Sequence, residues 1–430
     1  MPDVLRHSCL TIPMRKLLLF AFLSFIIHAN AFSQLHYIAG TVQDEAGKPL
    51  SGVEVFLAGT TRIAVSDEEG NFNISRLATG NYELAAKLLG RETYTATFTL
   101  TKSSRFNITL TLKNRQLDEV VIRPNSYSNA DYNLFARTLL GTTPNAAKCK
   151  ILNPKILNIF RDPETRILHV NSGGEFLLID NEALGYNVKY LLDEFVLDSD
   201  QSLSMYVGQA VFTEMQGSES KKATWRKARA KAYLGSPQHL LRSVYHDNLI
   251  DQKFIVRKLS VTPDEQSITE KEYVRKQEHF ANLLAAKTIT RSQHSDSSNM
   301  ILRRVRMPES KLSVGKDTLE GNSLISGRYD TNKQLDLSAP LHILYLGEKP
   351  AIGYHHDRFI EGTEKDDYRH QMSTISSRKG FVPYIDAYGN ILSPLSVIFN
   401  GYMGWERMAE MLPREFLPDE PQVAAIKKEL

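Results

Sequence analysis

At 430 residues the chain is too long for one ordinary hydrophobic core, and at roughly 100–200 residues per domain it predicts two or three units. Hydrophobic residues at 42% and charged residues at 23% exclude wholesale disorder and a polytopic membrane protein. A formal charge of +3, the balance of 52 basic and 49 acidic residues, leaves no global field to recruit nucleic acid or anionic lipid, so an electrostatic partner must be engaged locally.

Arg15 and Lys16 precede the apolar run Leu17 to Ile27, and Ala29-Asn30-Ala31 then supplies a small-x-small cleavage pattern. Residues 1–31 therefore read as a secretory signal peptide. The run of about eleven residues is well short of the roughly 20 that cross a bilayer, so no transmembrane span is expected in the mature chain. Met14-Arg15-Lys16 is the more natural start, which makes Met14 the expected initiator. Cys9 lies upstream of the run, where a lipoprotein cysteine cannot sit. Cys149 is then alone in the mature chain, which excludes an internal disulfide and a Cys-x-x-Cys metal site; it reads as a small packed residue. The expected address is the periplasm or an outer-membrane-associated position, with peripheral membrane association left open.

From Leu35 to about Lys113 short apolar–polar alternations are separated by Gly, Asn, Asp and Pro clusters, the pattern of an all-β sandwich. The expected strands are Tyr37 to Gln43, Val53 to Leu57, Arg62 to Ser66, Asn71 to Ile74, Tyr82 to Leu88, Thr93 to Thr101 and Arg105 to Leu112. Asp44 to Pro49 and Asp67 to Gly70 put Asp and Gly where tight turns need side-chain acceptors and positive φ.

Four blocks in this stretch carry a resemblance: Gly40-x-Val42-x-Asp44, Gly47-x-Pro49-Leu50-x-Gly52-Val53-x-Val55, Ser66-Asp67-x-x-Gly70-x-Phe72-x-Ile74 and Gly80-x-Tyr82-x-Leu84. In this order and spacing they resemble the carboxypeptidase regulatory-like (CarboxypepD_reg-like) domain, a transthyretin-type (prealbumin-type) sandwich. The resemblance implies a non-catalytic accessory and an envelope location, since such domains stand beside metallocarboxypeptidase domains and at the N-termini of TonB-dependent outer-membrane transporters. Leu117 to Ile122 resembles the segment that leads into the transporter plug. A 22-stranded barrel with its plug is not expected in the roughly 300 residues that follow.

Residues 114–148 read as a linker, with a short helix around Tyr132 to Leu140. From 149 to 430 a larger β-rich domain is expected, beginning with strands Ile156 to Phe160, Ile167 to Asn171, Phe176 to Ile179, Tyr186 to Leu197 and Leu203 to Met215; a second sandwich is the simplest assembly. Residues 221–248, rich in Ala, Lys, Arg and Leu and divided by Gly235-Ser236-Pro237, predict a helical hairpin with Ser236 as N-cap and Pro237 in the first turn. Leu341 to Gly347 reads as a further strand and Ser292 to Asn299 as a polar mobile stretch. Trp405 to Leu412 predicts a C-terminal helix before Pro413. The fold class expected is thus mainly β: a seven-stranded transthyretin-like sandwich, then a β-rich domain with a helical hairpin and a C-terminal helix.

Several segments of the second half, among them Tyr233-x-Gly235-Ser236-Pro237-x-His239-Leu240-Leu241-Arg242 and Gly401-Tyr402-Met403-Gly404-Trp405-Glu406-Arg407, resemble envelope proteins known only as containing the carboxypeptidase-like regulatory domain. Two positions depart from that pattern: Met403 replaces an aromatic residue, and Lys253 replaces a glycine before Phe254.

Motifs of catalysis are missing. No histidine begins His-x-x-Glu or His-Glu-x-x-His, so a zinc peptidase site has no ligands to use, and Gly-x-Ser-x-Gly is absent. His355-His356-Asp357 is the most ligand-like cluster, although neighbours on a strand face opposite sides and a polar turn accounts for it. Carboxylate pairs of the glycosidase kind meet only in the fold. Catalytic, cofactor and metal residues are accordingly unassigned, and no cofactor is expected. Candidate partner-binding residues are Trp225, Arg226 and Arg229 within the basic hairpin, where Lys221, Lys222, Lys227 and Lys231 also lie, and Trp405 and Arg407 near the C-terminus. The competing reading places Trp225 and Trp405 in the core beneath solvated charges. The favoured function is non-catalytic binding of an outer-membrane protein or envelope glycan, with a hydrolase in the second domain or a structural spacer as alternatives.

Overall fold

The structure, a computed structural model, describes residues 35–113, 128–199, 203–263, 270–286, 310–356 and 360–419. The signal-peptide reading, the segment 114–127, the Ser292 to Asn299 stretch and Asp357 lie outside these residues.

All seven expected N-terminal strands form: β1 (His36–Gln43), β2 (Glu54–Leu57), β3 (Ile63–Val65), β4 (Asn71–Leu77), β5 (Gly80–Lys87), β6 (Tyr94–Leu100) and β7 (Ser104–Thr109). They make two sheets, β4-β1-β7 and β3-β2-β5-β6. Ile38, Val42, Val55, Leu57, Phe72, Ile74, Leu84 and Ile108 alternate along their strands and fill the space between the sheets. Gly40 is required where β1 meets β7, because a Cβ there would lie 1.7 Å from the Phe106 carbonyl oxygen.

The second sheet of this sandwich is buried on its other face as well. Phe56 and Ala85, which point away from the sandwich core, pack on Leu191 and Val211 of the following unit. That unit begins with helix α1 (Asn129–Leu140), capped by Ser128, whose hydroxyl accepts from the Asp131 N–H. Phe135, Leu139 and Leu140 of α1 are buried in its core. The stretch expected to be a linker therefore carries, from Asn129 onward, part of the next hydrophobic core.

The second unit continues as β8 (Cys149–Ile151), β9 (Asn158–Arg161), β10 (Leu168–Asn171), β11 (Phe176–Asn181), β12 (Tyr186–Asp198) and β13 (Leu203–Glu214), which form one six-stranded sheet. In β12 the core-facing residues are Tyr186, Val188, Tyr190 and Leu192, then Phe195 and Leu197. A bulge between Leu192 and Glu194 reverses the parity, since one extra residue turns the alternation over.

Helices α2 (Glu219–Tyr233) and α3 (Pro237–Tyr245) follow as the expected hairpin. The Ser236 hydroxyl accepts from the His239 N–H, and Pro237 occupies the first turn. Ala228 and Ala232 of α2 pack on the first core. Ala230 and Tyr233 enter a second core with Leu240, Leu241 and Val244 of α3.

The second core underlies a five-stranded sheet, β15 (Ser310–Val314), β14 (Phe254–Pro263), β18 (Leu341–Tyr345), β19 (Gln371–Ser377) and β21 (Val397–Gly401) in spatial order. A small sheet of β16 (Ile325–Tyr329), β17 (Asn332–Leu335) and β20 (Tyr384–Ile385) adjoins it. Helix α4 (Glu270–Ala285) lies between β14 and β15 in the chain, and the C-terminal helix α5 (Tyr402–Trp405) is a single turn followed by a 3-10 turn at Met408–Glu410. The architecture is mainly β, as expected. The six-stranded and five-stranded sheets each have a core of their own, with α2 contributing to both, so these two sheets do not share one core as the two sheets of a second sandwich would. Among the described residues no helix is long and apolar enough to cross a membrane.

Candidate functional site

The hairpin residues singled out by sequence separate into two kinds. Trp225 is 3% exposed and donates its indole N–H to the Glu182 carbonyl at 2.9 Å. Gly185 makes room for it: a Cβ there would meet the Trp225 ring at 2.2 Å, and its φ of +70° is one that side chains rarely adopt. Arg229, 6% exposed, donates to the Leu184 carbonyl at 2.7 Å, the Gly185 carbonyl at 3.1 Å and the Glu214 carboxylate at 2.5 Å, with its guanidinium 3.8 Å from the Tyr186 ring centroid. These two side chains hold the Asn181 to Tyr186 turn, so as partner contacts they are withdrawn: burial takes them off the surface. Arg226 is exposed. His239 sits inside the hairpin, its Nδ1 accepting from the Gly235 N–H at 3.1 Å.

The His-His-Asp cluster forms no ligand set among the described residues. His355 is exposed, while His356 stacks edge-on against Tyr354 and Tyr368 with centroids 5.0 and 5.2 Å away. No group of three or more His, Cys, Asp or Glu among the described residues could hold a metal ion.

Trp405 leads elsewhere. It lines a pocket of ≈ 100 Å³ shared by the Thr143 to Asn145 loop, Lys231 and Ala232 of α2, Glu348 and Ala351 after β18, and Tyr402, Glu406 and Glu410. Two glycines fold the C-terminal segment into this wall. Gly401 turns the chain at φ +72°, and a Cβ on Gly404 would lie 2.6 Å from the Phe399 carbonyl oxygen. The Trp405 indole N–H donates to the Thr142 hydroxyl at 2.8 Å. Tyr354, Tyr402 and Trp405 form an aromatic triangle with centroids 5.0 to 5.5 Å apart. Arg407 packs its aliphatic stem over Gly141, where a Cβ would come within 3.0 Å of it. Both C-terminal candidates are thus partly buried, and it is the Trp405 ring that borders the pocket.

Three carboxyl groups converge there. Glu348 is 5% exposed; its Oε2 accepts from Gln371 Nε2 at 3.4 Å and its Oε1 has no hydrogen-bond partner. Glu406 Oε2 is likewise out of solvent and unpartnered. Glu410 is better served, accepting from Asn145 Nδ2 at 2.8 Å. Burial pushes the Glu348 carboxyl up to about 7, against the pull of Lys231 and of Gln371. Burial raises Glu406 well above the ordinary carboxyl range, with Glu410 and Glu348 adding repulsion. Glu410 is raised by burial too, opposed by hydrogen bonds from Thr143 and Asn145 and by Lys231. Sequence reasoning found Trp405 by residue type alone. It missed the three glutamates, because 58 residues separate Glu348 from Glu406 and only the packing of α5 against the loop after β18 joins them.

No curated protein matches the chain. Among solved structures, a cohesin–X-dockerin complex from Acetivibrio cellulolyticus aligns at 22% identity and a TM-score of 0.17, covering 18% of this chain and 58% of that one. The chain thus spans a little over half the length of that relative. DUF3823 family proteins from Bacteroides ovatus and Parabacteroides merdae align at 12% and 11% identity, each with a TM-score of 0.16; the alignments cover 43% and 41% of this chain and 83% and 81% of those. Likenesses with such TM-scores carry no assignment to this chain. Residues 38–122 match the family model of the CarboxypepD_reg-like domain, so the N-terminal sandwich, on whose four sequence blocks the resemblance rested, is a CarboxypepD_reg-like domain.

Proposed function

We propose that the chain is an exported, non-catalytic binding module of the bacterial cell envelope, in which the pocket beside Trp405 receives a terminal group of an outer-membrane protein or envelope glycan. The observation that carries this reading is the pocket's size set against its chemistry. Sites that engulf a whole small molecule enclose ~300–1,000 Å³, whereas this one, at ≈ 100 Å³, has room for one end group. Its walls come from four chain segments, and an aromatic ring borders buried, partly unsatisfied carboxyls. The CarboxypepD_reg-like domain supports the reading as an accessory fold packed against the binding unit. The apolar run after Arg15 and Lys16 supports export.

The test is a crosslinked pull-down of the tagged mature protein from its native envelope, compared with Trp405→Ala. The expected result is one species enriched by the parent protein and lost with the variant. Equal recovery by both removes the pocket from the function.

A hydrolase is the second reading, and the convergence of Glu348, Glu406 and Glu410 is what favours it. A carboxyl held near pH 7 matches the requirement of a general acid. A glycosidase must also place a sugar on each side of the scissile bond between its carboxyls, and the pocket volume is small for that. Turnover of glycoside or peptide substrates by the parent protein, abolished in Glu348→Gln, would establish the enzyme and displace the binding module.

A further inference from the structure

The five-stranded sheet ends in two loops that carry apolar side chains into water. Phe254 at the start of β14 pairs with Tyr345 at the end of β18, so the turn before β14 and the loop after β18 lie side by side. The Leu346 N–H joins them, donating to the Lys253 carbonyl at 2.9 Å. Ile250, on that turn, is 62% exposed, Leu346 39% and Ile352 93%. Ile352 and Gly353 form the corner of a turn that the Tyr354 N–H closes onto the Ala351 carbonyl at 3.1 Å, with Gly353 at φ +93°. Turn corners ordinarily carry Gly, Pro, Asn, Asp or Ser, and an aliphatic side chain there leaves its apolar surface in water, where burial against a partner would stabilise it. The turn is anchored from behind, for the Tyr354 ring packs on Tyr402 and Trp405 with centroids 5.0 and 5.4 Å away.

The charge around these side chains is of one sign. Lys253 and Lys349 stand exposed on the same two loops. Lys231 of α2 is exposed and lines a common wall with Ala351, the neighbour of Ile352; Lys227 is exposed one turn earlier on that helix face. Against these four amines the segments 227–233, 250–253 and 346–353 set one exposed carboxyl, Asp251, since Glu348 is buried. Single exposed aliphatic residues need no partner, but apolar tips set among lysines match a surface that is anionic outside and hydrocarbon beneath. The cores of interfaces between folded proteins are poor in lysine, whereas at a lipid surface the lysine stems lie along the apolar layer and the amines meet phosphates.

We propose that this end of the molecule docks on an anionic lipid leaflet, with Ile250, Leu346 and Ile352 set among the headgroups and Lys227, Lys231, Lys253 and Lys349 against the phosphates. The contact is peripheral and reversible: a few aliphatic side chains reach the headgroup boundary, and each lysine adds about fivefold to the affinity near an anionic surface. The docked face adjoins the Trp405 pocket through Lys231 and Ala351, and it does not depend on what that pocket binds.

The test is co-sedimentation of the mature protein with vesicles of equal parts phosphatidylglycerol and phosphatidylethanolamine, beside vesicles of phosphatidylcholine alone, at low and at physiological ionic strength. Binding to the anionic vesicles is expected, at least roughly tenfold tighter than to phosphatidylcholine and weakened by salt. Ile352→Ser is expected to weaken it roughly tenfold, the lower end of what withdrawing one aliphatic side chain from water is worth. The double variant Lys253→Glu, Lys349→Glu is expected to lose more than roughly tenfold, while thermal unfolding shows both proteins folded. In Ile352→Trp the added indole is expected to shift its emission to the blue on anionic vesicles. No sedimentation with anionic vesicles, equal binding to phosphatidylcholine, unchanged affinity in Ile352→Ser, or an unshifted Ile352→Trp emission overturns the proposal. So does capture of an envelope protein that these variants abolish without any vesicle binding, which would assign the face to a polypeptide.

Discussion

Glu415 accepts two hydrogen bonds from Thr61, at 2.8 Å from its backbone N–H and at 2.6 Å from its hydroxyl, although the two residues are 354 apart in the chain. Beside them the Arg414 N–H donates to the Gly59 carbonyl at 2.8 Å, and the Arg414 guanidinium lies 4.8 Å from the Tyr82 ring centroid. The segment that follows the Trp405 pocket therefore ends on the turn between β2 and β3 of the CarboxypepD_reg-like domain. Lys189 to Glu54 at 2.5 Å, Gln209 to Glu83 at 3.2 Å and the Thr60–Val211 bridge add to the seam.

Glu415→Ala strands two donors on the Thr61 turn and is expected to lower stability by about 1–3 kcal/mol. Glu415→Gln keeps an acceptor oxygen and is expected to lose less. Denaturant unfolding of the three proteins checks the order. A variant as stable as the parent would show that the Thr61–Glu415 contact adds nothing to a seam already held by the packing of Phe56, Ala85, Leu191 and Val211 and by its other polar contacts.

The hairpin offers a paired contrast. Trp225→Ala removes a ring that fills the space above Gly185, and truncation of a buried aromatic costs about 3–5 kcal/mol. Arg229→Lys keeps the charge but loses the planar fork that reaches two carbonyls and Glu214, so it is expected to cost about 1–3 kcal/mol. Arg226→Ala, on the exposed side of the same helix, is expected to change stability by less than about 0.5 kcal/mol. Thermal unfolding of the three variants checks the pattern.

The contrast shows what the sequence made legible. Turn chemistry and period-2 alternation located all seven N-terminal strands, and Ser236-Pro237 marked the hairpin, because each depends on neighbours in the chain. The second face of β2 and β5 was not legible: Phe56 and Ala85 lie between residues that already satisfy a sandwich core, and only the six-stranded sheet makes them core residues. The parity change in β12 was in principle visible, since apolar positions run even through Leu192 and odd from Phe195. The Glu348, Glu406 and Glu410 cluster had no local signal at all, for its members come from distant segments without a shared motif.

Acid–base stability follows from two buried groups with opposite signs. His342 is fully buried with both ring nitrogens unpartnered, and burial lowers it to about 4 against the opposing pull of Asp367, with a lesser push in the same direction from Arg257. Its folded form binds the proton less well than the unfolded chain, so stability is lost as pH falls from ~6.5 towards ~4. Glu348 is the reverse: its folded form holds the proton more tightly, and the contribution present below the ordinary carboxyl value is lost as pH rises through about 7. Glu348→Gln is therefore expected to be more stable than the parent above neutral pH, by up to about 3 kcal/mol at ~1.4 kcal/mol per pH unit, with the difference vanishing near pH ~4.5. His342→Leu is expected to flatten the loss on the acid side. Unfolding free energies across this range check both; a gain in Glu348→Gln independent of pH would show that the carboxyl does not titrate with folding.

Lys253 tests a backbone position rather than a side chain. The resemblance in the second half places glycine there, and the structure puts Lys253 at φ +68°, just before Phe254 enters the second core. A left-handed conformation costs a non-glycine residue roughly 1–2 kcal/mol, while glycine adds about 0.5–1 kcal/mol of unfolded-state entropy to be lost. The difference leaves Lys253→Gly expected to stabilise the protein by up to about 1 kcal/mol, with the Phe254 contacts unchanged. Lys253→Ala keeps the left-handed cost and is expected to leave stability near that of the parent. Chemical denaturation of the pair decides the matter: equal effects of Gly and Ala would assign the change to the lysine side chain and remove backbone strain as its cause.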